Sequence, residues 1–118
     1  MTRVLIVDDR LSFCRHLRQL LTYVGLTVVG QARDIPEAEA LVQTLQPDLA
    51  VVDVRLPGIN GIEGTTRLKM LDPDLRVILV SAYPDQADLL RTAAAEIGAE
   101  AFVTKDDLNL EVVRDWLR

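Results

Sequence analysis

Five residues in this chain carry chemistry that their neighbours do not: Asp8, Asp9, Asp53, Ser81 and Lys105. Each stands where an apolar run gives out. Val4-Leu5-Ile6-Val7 leads into Asp8-Asp9, Leu49-Ala50-Val51-Val52 into Asp53, Val77-Ile78-Leu79-Val80 into Ser81, and Ala101-Phe102-Val103-Thr104 into Lys105. Three carboxylates brought together repel, and like charges at short range raise each other's pKa unless a cation is present. All-oxygen ligation by few carboxylates, with an incoming phosphate, is the pattern of Mg²⁺ and not of zinc. No His or Cys is positioned to soften the set. A metal there neutralises phosphate charge, and an Asp carboxylate can act as a nucleophile that forms an acyl phosphate. Lys105 and Ser81 then supply a positive charge and a hydroxyl donor to the phosphoryl oxygens.

Taken singly, these residues are ordinary. An Asp just after a strand is often only a helix cap, Lys105 alone reads as a solvated surface residue, and Ser81 alone as a turn former. What coincidence fails to explain is all five at four strand ends.

The elements that must position them follow from periodicity. The β-branched run into Asp53, closed by Pro57-Gly58, reads as a strand covered on both faces and forms the centre of the pattern. Phe13, Leu17, Leu20, Leu21 and Val24 recur at helical spacing after the first strand, and Gly25 ends that helix. Thr27-Val28-Val29 starts a second strand, shorter and more polar, hence an edge. Asp34-Ile35-Pro36-Glu37 reads as a capping box for a helix to about Gln46, closed by Pro47. The third helix spans Gly61 to about Leu71, although Gly64 inside it costs about 1 kcal/mol relative to Ala. Asp85 is expected to cap a helix carrying Leu89, Leu90, Ala93, Ala94 and Ile97, ended by Gly98. Asp106 or Asp107 is expected to open a last helix with Leu108, Val112, Val113 and Trp116.

Strands therefore begin near residues 4, 27, 49, 77 and 101, with a helix after each. This alternation calls for an α/β fold: a parallel sheet with right-handed crossovers and helices on both faces. All the strand-end residues then share one edge. If the winding reverses between strands one and three, the acids flank the switch-point crevice. Of the remaining reactive side chains, Cys14 reads as a small semi-buried residue and His16 as a helix-surface residue without a chemical role. Trp116 reads as a cover for the core.

Composition sets the outer bounds. The 118 residues fit one domain spanning 1–118, and 49% hydrophobic with 26% charged residues is the balance of a soluble globular protein. A formal charge of −5 and a pI near 4.7 argue against direct nucleic-acid binding by this domain, which needs clustered Lys and Arg. The single Cys14 cannot form an internal disulfide, so a reducing cytoplasm is expected. No apolar run approaches the roughly 20 residues of a membrane span. The first strand begins within three residues of Met1, which leaves no room for a signal peptide.

These residues together resemble the receiver domain of bacterial two-component response regulators. The resemblance runs from Val4-Leu5-Ile6-Val7-Asp8-Asp9 through Pro47-Asp48-Leu49-Ala50-Val51-Val52-Asp53, Leu56-Pro57-Gly58-Ile59-Asn60-Gly61 and Val80-Ser81-Ala82 to Gly98-Ala99-Glu100-Ala101-Phe102-Val103-Thr104-Lys105. It implies a flavodoxin-like sheet of strand order 2-1-3-4-5, and phosphorylation of Asp53 by a histidine kinase or phosphotransfer protein. It implies Mg²⁺ held by Asp8, Asp9 and Asp53, with the backbone carbonyl of Arg55 as a further ligand. Ser81 would be the switch hydroxyl, Phe102 the switch aromatic and Lys105 the phosphate-binding lysine. Such a domain is no enzyme beyond its own phosphorylation and autodephosphorylation. Its output would leave through the face of helix four, strand five and helix five, residues 86–97 and 108–116, by pairing as a homodimer or by docking an output domain or target.

The chain departs from the family in two places. Asp106 stands where many members have Pro, often after a cis bond, and without Pro that bond costs about 2.5–4 kcal/mol. The Lys105-Asp106 pair is similar to the subgroup that carries helix-turn-helix output domains. Phe102 lacks the hydroxyl of the commoner Tyr. A metal-dependent phosphatase with an Asp nucleophile would need a second acid two residues on, and position 55 is Arg. A dinucleotide binder would need a glycine-rich first turn, where this chain has Asp8-Asp9-Arg10-Leu11. Both a stand-alone relay protein and the receiver half of a longer regulator fit the sequence.

Overall fold

Alternate residues of a strand face opposite sides of its sheet, and here each side is a separate apolar core. The structure is a computed structural model that describes residues 1–82 and 86–117. Its strands are β1 (Arg3–Val7), β2 (Thr27–Ala32), β3 (Leu49–Asp53), β4 (Arg76–Ser81) and β5 (Ala101–Thr104). The α-helices among the described residues are α1 (Leu11–Tyr23), α2 (Ile35–Leu45), α3 (Gly61–Leu71), α4 (Ala87–Glu96) and α5 (Leu110–Arg114). All strand pairs are parallel, in the order β2-β1-β3-β4-β5, which is the flavodoxin-like order expected.

Leu5, Val7, Ala50, Val52, Val77 and Leu79 form one core with Ile35, Ala38 and Val42 of α2, Leu68 of α3 and Ala94 of α4. Val4, Ile6, Leu49, Val51, Ile78 and Val80 face the other way, onto Cys14, Leu17 and Leu21 of α1 and Val113 and Trp116 at the C-terminal end. The central strands have no solvated face, which is why they read as unbroken apolar runs. Cys14 is fully buried, further in than expected, while His16 lies on the α1 surface.

The helix starts follow their capping chemistry. Asp34 accepts from Glu37 N–H, and the Glu37 carboxylate accepts in turn from Arg33 N–H, one residue before the usual partner of a capping box. Asn60 caps α3 by accepting from Glu63 N–H. Gly64 has a structural reason: a Cβ there would collide with the buried Ile35 side chain, so its absence lets α3 lie close on α2. Arg67 then ties the two helices together by a two-pronged pair with Glu39, at 3.2 and 2.7 Å.

Two sequence expectations are corrected. β2 does lie at the edge, but it runs six residues, because Gly30-Gln31-Ala32 continue it past a register shift at Val4/Leu5. The last helix is opened neither by Asp106 nor by Asp107. Residues Lys105–Asp107 form a 3-10 turn, in which Asp107 accepts from the Thr104 hydroxyl at 2.7 Å, and Asn109 caps α5 through Val112 N–H. Leu89 lies on α4 as expected and is 72% exposed, while Leu90, Ala94 and Ile97 at helical spacing fill the inner face. Asp85, read as the α4 cap, lies outside the described residues.

Candidate functional site

β1 and β3 are neighbours, and the chain leaves β1 for β2 on one flank and β3 for β4 on the other. Between their carboxyl ends the connections diverge, so a crevice opens where side chains can meet without helices covering them. Val7 is in register with Val52, which brings the next residues, Asp8 and Asp53, to the floor of that crevice. Asp8 is 1% and Asp53 3% exposed, while Asp9 is exposed. One carboxylate oxygen from each of the three lies within 4.8 Å of the others. Two buried acids and one open to water give a cation ligands below and an approach from above.

Lys105 arrives from the end of β5. Its ammonium nitrogen is 2.8 Å from Asp8 Oδ2 and 3.6 Å from Asp53 Oδ2. The other oxygens are held by the backbone: Asp8 Oδ1 accepts from Arg10 N–H at 2.8 Å and Asp53 Oδ1 from Arg55 N–H at 3.3 Å. Asp8 Oδ2 is buried and accepts no aligned hydrogen bond; its contact with Lys105 is Coulombic. Burial above all, and then the neighbouring Asp8 charge, push the Asp53 carboxyl up from 3.8 to about 6, against the opposing pull of Lys105 and of Arg55 N–H. The Cys14 thiol, beneath Asp8, is pushed up to about 11 by burial and then by Asp8, so it is an inert packing group.

Asp9, Arg10, Asp53, Arg55, Ala82 and Lys105 line a cleft of about 80 Å³. Organic ligand sites are usually about 300–1,000 Å³, so this one has room for an ion with its waters or for a phosphoryl group, and not for a dinucleotide. Three oxygen donors, one of them a buried oxygen without a hydrogen bond, fit a hard divalent cation. Ser81 is the last residue of β4, buried and in register with Thr104. Phe102 is already buried, with the Arg91 guanidinium 5.7 Å from its ring centre. The Lys105–Asp106 peptide bond is trans, in keeping with the Asp that replaces Pro.

The sequence reading did not single out Arg10 or Ala82 as cleft residues, although each directly follows a strand-end residue it named. It also assigned Phe13 to the α1 core pattern alone. The Phe13 ring in fact lies under the Lys105 ammonium, 4.1 Å from nitrogen to ring centre.

Known proteins resemble this chain. A family model described as the response regulator receiver domain matches residues 4–114. The DNA-binding transcriptional activator DevR/DosR of Mycobacterium tuberculosis is 40% identical over 97% of this chain, which spans 52% of that protein. The chemotaxis protein CheY of Thermotoga maritima is 34% identical over 87% of this chain, and 84% of that protein is spanned. Among solved structures, a response regulator protein from Burkholderia pseudomallei with a phosphorylated aspartic acid, calcium ion and citrate superposes with a TM-score of 0.85 at 25% identity, covering 100% of this chain and 67% of that one. The chain thus spans about half of the activator and most of the chemotaxis protein. The family model covers nearly the whole chain, and the chain belongs to the response regulator receiver domain family.

Proposed function

We propose that Asp53 is the phosphoryl acceptor of this receiver domain. The observation that carries the reading is a buried carboxylate at the end of β3, with Asp8 and Asp9 within 4.8 Å and Lys105 at 3.6 Å. In the transfer an Asp53 oxygen attacks the phosphorus of a phosphohistidine on a kinase or phosphotransfer protein. The new P–O bond forms as the P–N bond breaks, and the departing imidazole nitrogen takes up a proton. Lys105 meets the charge on the phosphoryl oxygens, which phosphoryl transfer spreads over three atoms. Asp8, Asp9 and Asp53, joined by the Arg55 carbonyl, are the residues that would hold Mg²⁺. When bound, the ion neutralises phosphate charge beside three acids. Hydrolysis of the acyl phosphate returns the domain to its resting state.

Ser81 then donates to the phosphoryl group, and the face of α4, β5 and α5 changes to release the signal, by pairing with a second copy or by docking a target. The family relation to a DNA-binding transcriptional activator, of which this chain spans half, supports a transcription output joined to the domain. The chemotaxis relative, spanned over most of its length, supports the second reading of a stand-alone relay protein. Among the described residues no helix is long and apolar enough to cross a membrane.

Acetyl phosphate with Mg²⁺ tests the acceptor assignment. The parent chain and Ser81→Ala should take a label that hydroxylamine removes, and Asp53→Asn should take none. A label that persists in Asp53→Asn overturns the assignment.

A further inference from the structure

We propose that Phe13 is a positioning residue for Lys105: its ring face holds the lysine ammonium at the mouth of the acidic cleft, ready for a phosphoryl oxygen. The proposal rests on Asp53 as the acceptor. It starts from a contact that the apolar pattern of α1 does not require. Phe13 is half-buried on the first turn of α1 and packs against the core beneath β1 and β3. Its ring centre is nevertheless 4.1 Å from Lys105 Nζ, well inside the roughly 6 Å within which a cation is drawn to an aromatic face. The Arg91–Phe102 pair at 5.7 Å is near that limit by comparison.

The contact solves a problem set by the loop. Lys105 begins a 3-10 turn, and its flexible side chain must reach the crevice from β5. Asp8 and Asp53 attract the ammonium, and an entering divalent cation would compete for the same oxygens. A ring face attracts a cation without offering a ligand that a metal or a phosphoryl group would want. It can therefore keep Lys105 in place when its acidic partners are taken. With its side chain only 11% exposed, the lysine is shielded from water that would otherwise compete for it.

The test uses the 118-residue chain with Phe13→Leu, which keeps apolar volume and removes the ring, and Phe13→Tyr, which keeps the ring. Phe13→Met is a second aliphatic arm should Phe13→Leu fold poorly. Two readouts report on Lys105 and not on packing. The ε-methylene protons of Lys105 should be shifted upfield by the ring in the parent and in Phe13→Tyr, and lie at the ordinary lysine position in the aliphatic variants. The acetyl phosphate concentration giving half-maximal labelling of Asp53 should rise about three- to tenfold in the aliphatic variants and return in Phe13→Tyr, the range expected for one cation–π contact at a part-buried site. Parent-like half-saturation and an unchanged lysine shift in Phe13→Leu overturn the proposal alone, and so does a Phe13→Tyr chain that behaves as Phe13→Leu does. A parent chain that takes no label overturns the acceptor assignment, and this proposal with it.

Discussion

The ammonium of Lys105 lies 2.8 Å from Oδ2 of Asp8, and this lysine thereby sits against the buried acid that a metal would use. Its contact with Asp53 is longer, at 3.6 Å. A positive charge bound among would-be metal ligands opposes a second cation.

Lys105→Ala should therefore bind Mg²⁺ more tightly, by roughly tenfold or more at low salt, since two positive charges at this range repel by a few kcal/mol at an effective dielectric near 20 and tenfold needs only about 1.4 kcal/mol. Calorimetric titration of parent and variant makes the comparison. Weaker binding in the variant would mean that the lysine helps to hold the ion.

The raised Asp53 carboxyl has a consequence for stability. Its folded value, about 6, lies above the ordinary 3.8, so between about pH 4 and pH 6 the folded chain holds more protons than the unfolded one. Stability of the metal-free chain falls as pH rises through that window, and the full penalty stands above about 6. Asp53→Asn removes it and should gain up to about 3 kcal/mol at pH 7 but little near pH 4. Denaturant midpoints at the two pH values, with chelator present, check this. An equal gain at both would assign the effect to packing.

Gly64 and Ile35 form one packing unit across α2 and α3. Gly64→Ala should destabilise by about 1–3 kcal/mol despite the better helix propensity of Ala, because a methyl has no space beside Ile35. Ile35→Ala alone should cost about 2–5 kcal/mol through its cavity. The double variant should cost clearly less than the sum, as the new methyl enters the vacated space. Additive losses would refute the close contact.

These cases mark what the sequence could disclose. The strands were legible because both faces are covered and alternation gives way to unbroken runs, as in Val4–Val7 and Val77–Val80. The site was legible for a related reason: in a parallel sheet, residues that end different strands share one edge. Strand and helix ends were less so. Asp106, Asp107 and Asn109 all have capping side chains, and what settles which one opens α5 is the hydrogen bond that Asn109 accepts from Val112 N–H, while Asp107 is taken up by the Thr104 hydroxyl. Gly30 lies inside β2 although Gly usually weakens a strand: at an edge beside Leu5 and Leu45 its lack of a side chain is what fits. Phe13 satisfied an apolar pattern so well that its second contact left no trace in spacing. That Lys105 leans toward Asp8 depends on the 3-10 turn, which periodicity does not encode.

Phosphoryl mimicry should be read out on the α4, β5 and α5 face. Beryllofluoride with Mg²⁺ is expected to change hydrogen exchange in residues 86–97 and 108–116, and Ser81→Ala should bind the mimic while losing that change. Phe102 starts from a buried position, so its surroundings, Arg91 included, should respond more than its own exposure. A coupling of about 1–3 kcal/mol alters partner affinity about 5–150-fold. Changes confined to α1 and α2 would contradict this route.

Chemical trapping of the acyl phosphate tests the central claim most directly. Borohydride reduces an acyl phosphate to the alcohol, so a chain phosphorylated by acetyl phosphate with Mg²⁺ should carry homoserine in place of Asp53 when its peptides are sequenced by mass spectrometry. Asp8 and Asp9 should remain unreduced and Ser81 unmodified. Homoserine at position 8 or 9, or a borohydride-resistant phosphate on Ser81 with Asp53 intact, would contradict Asp53 as the phosphoryl acceptor.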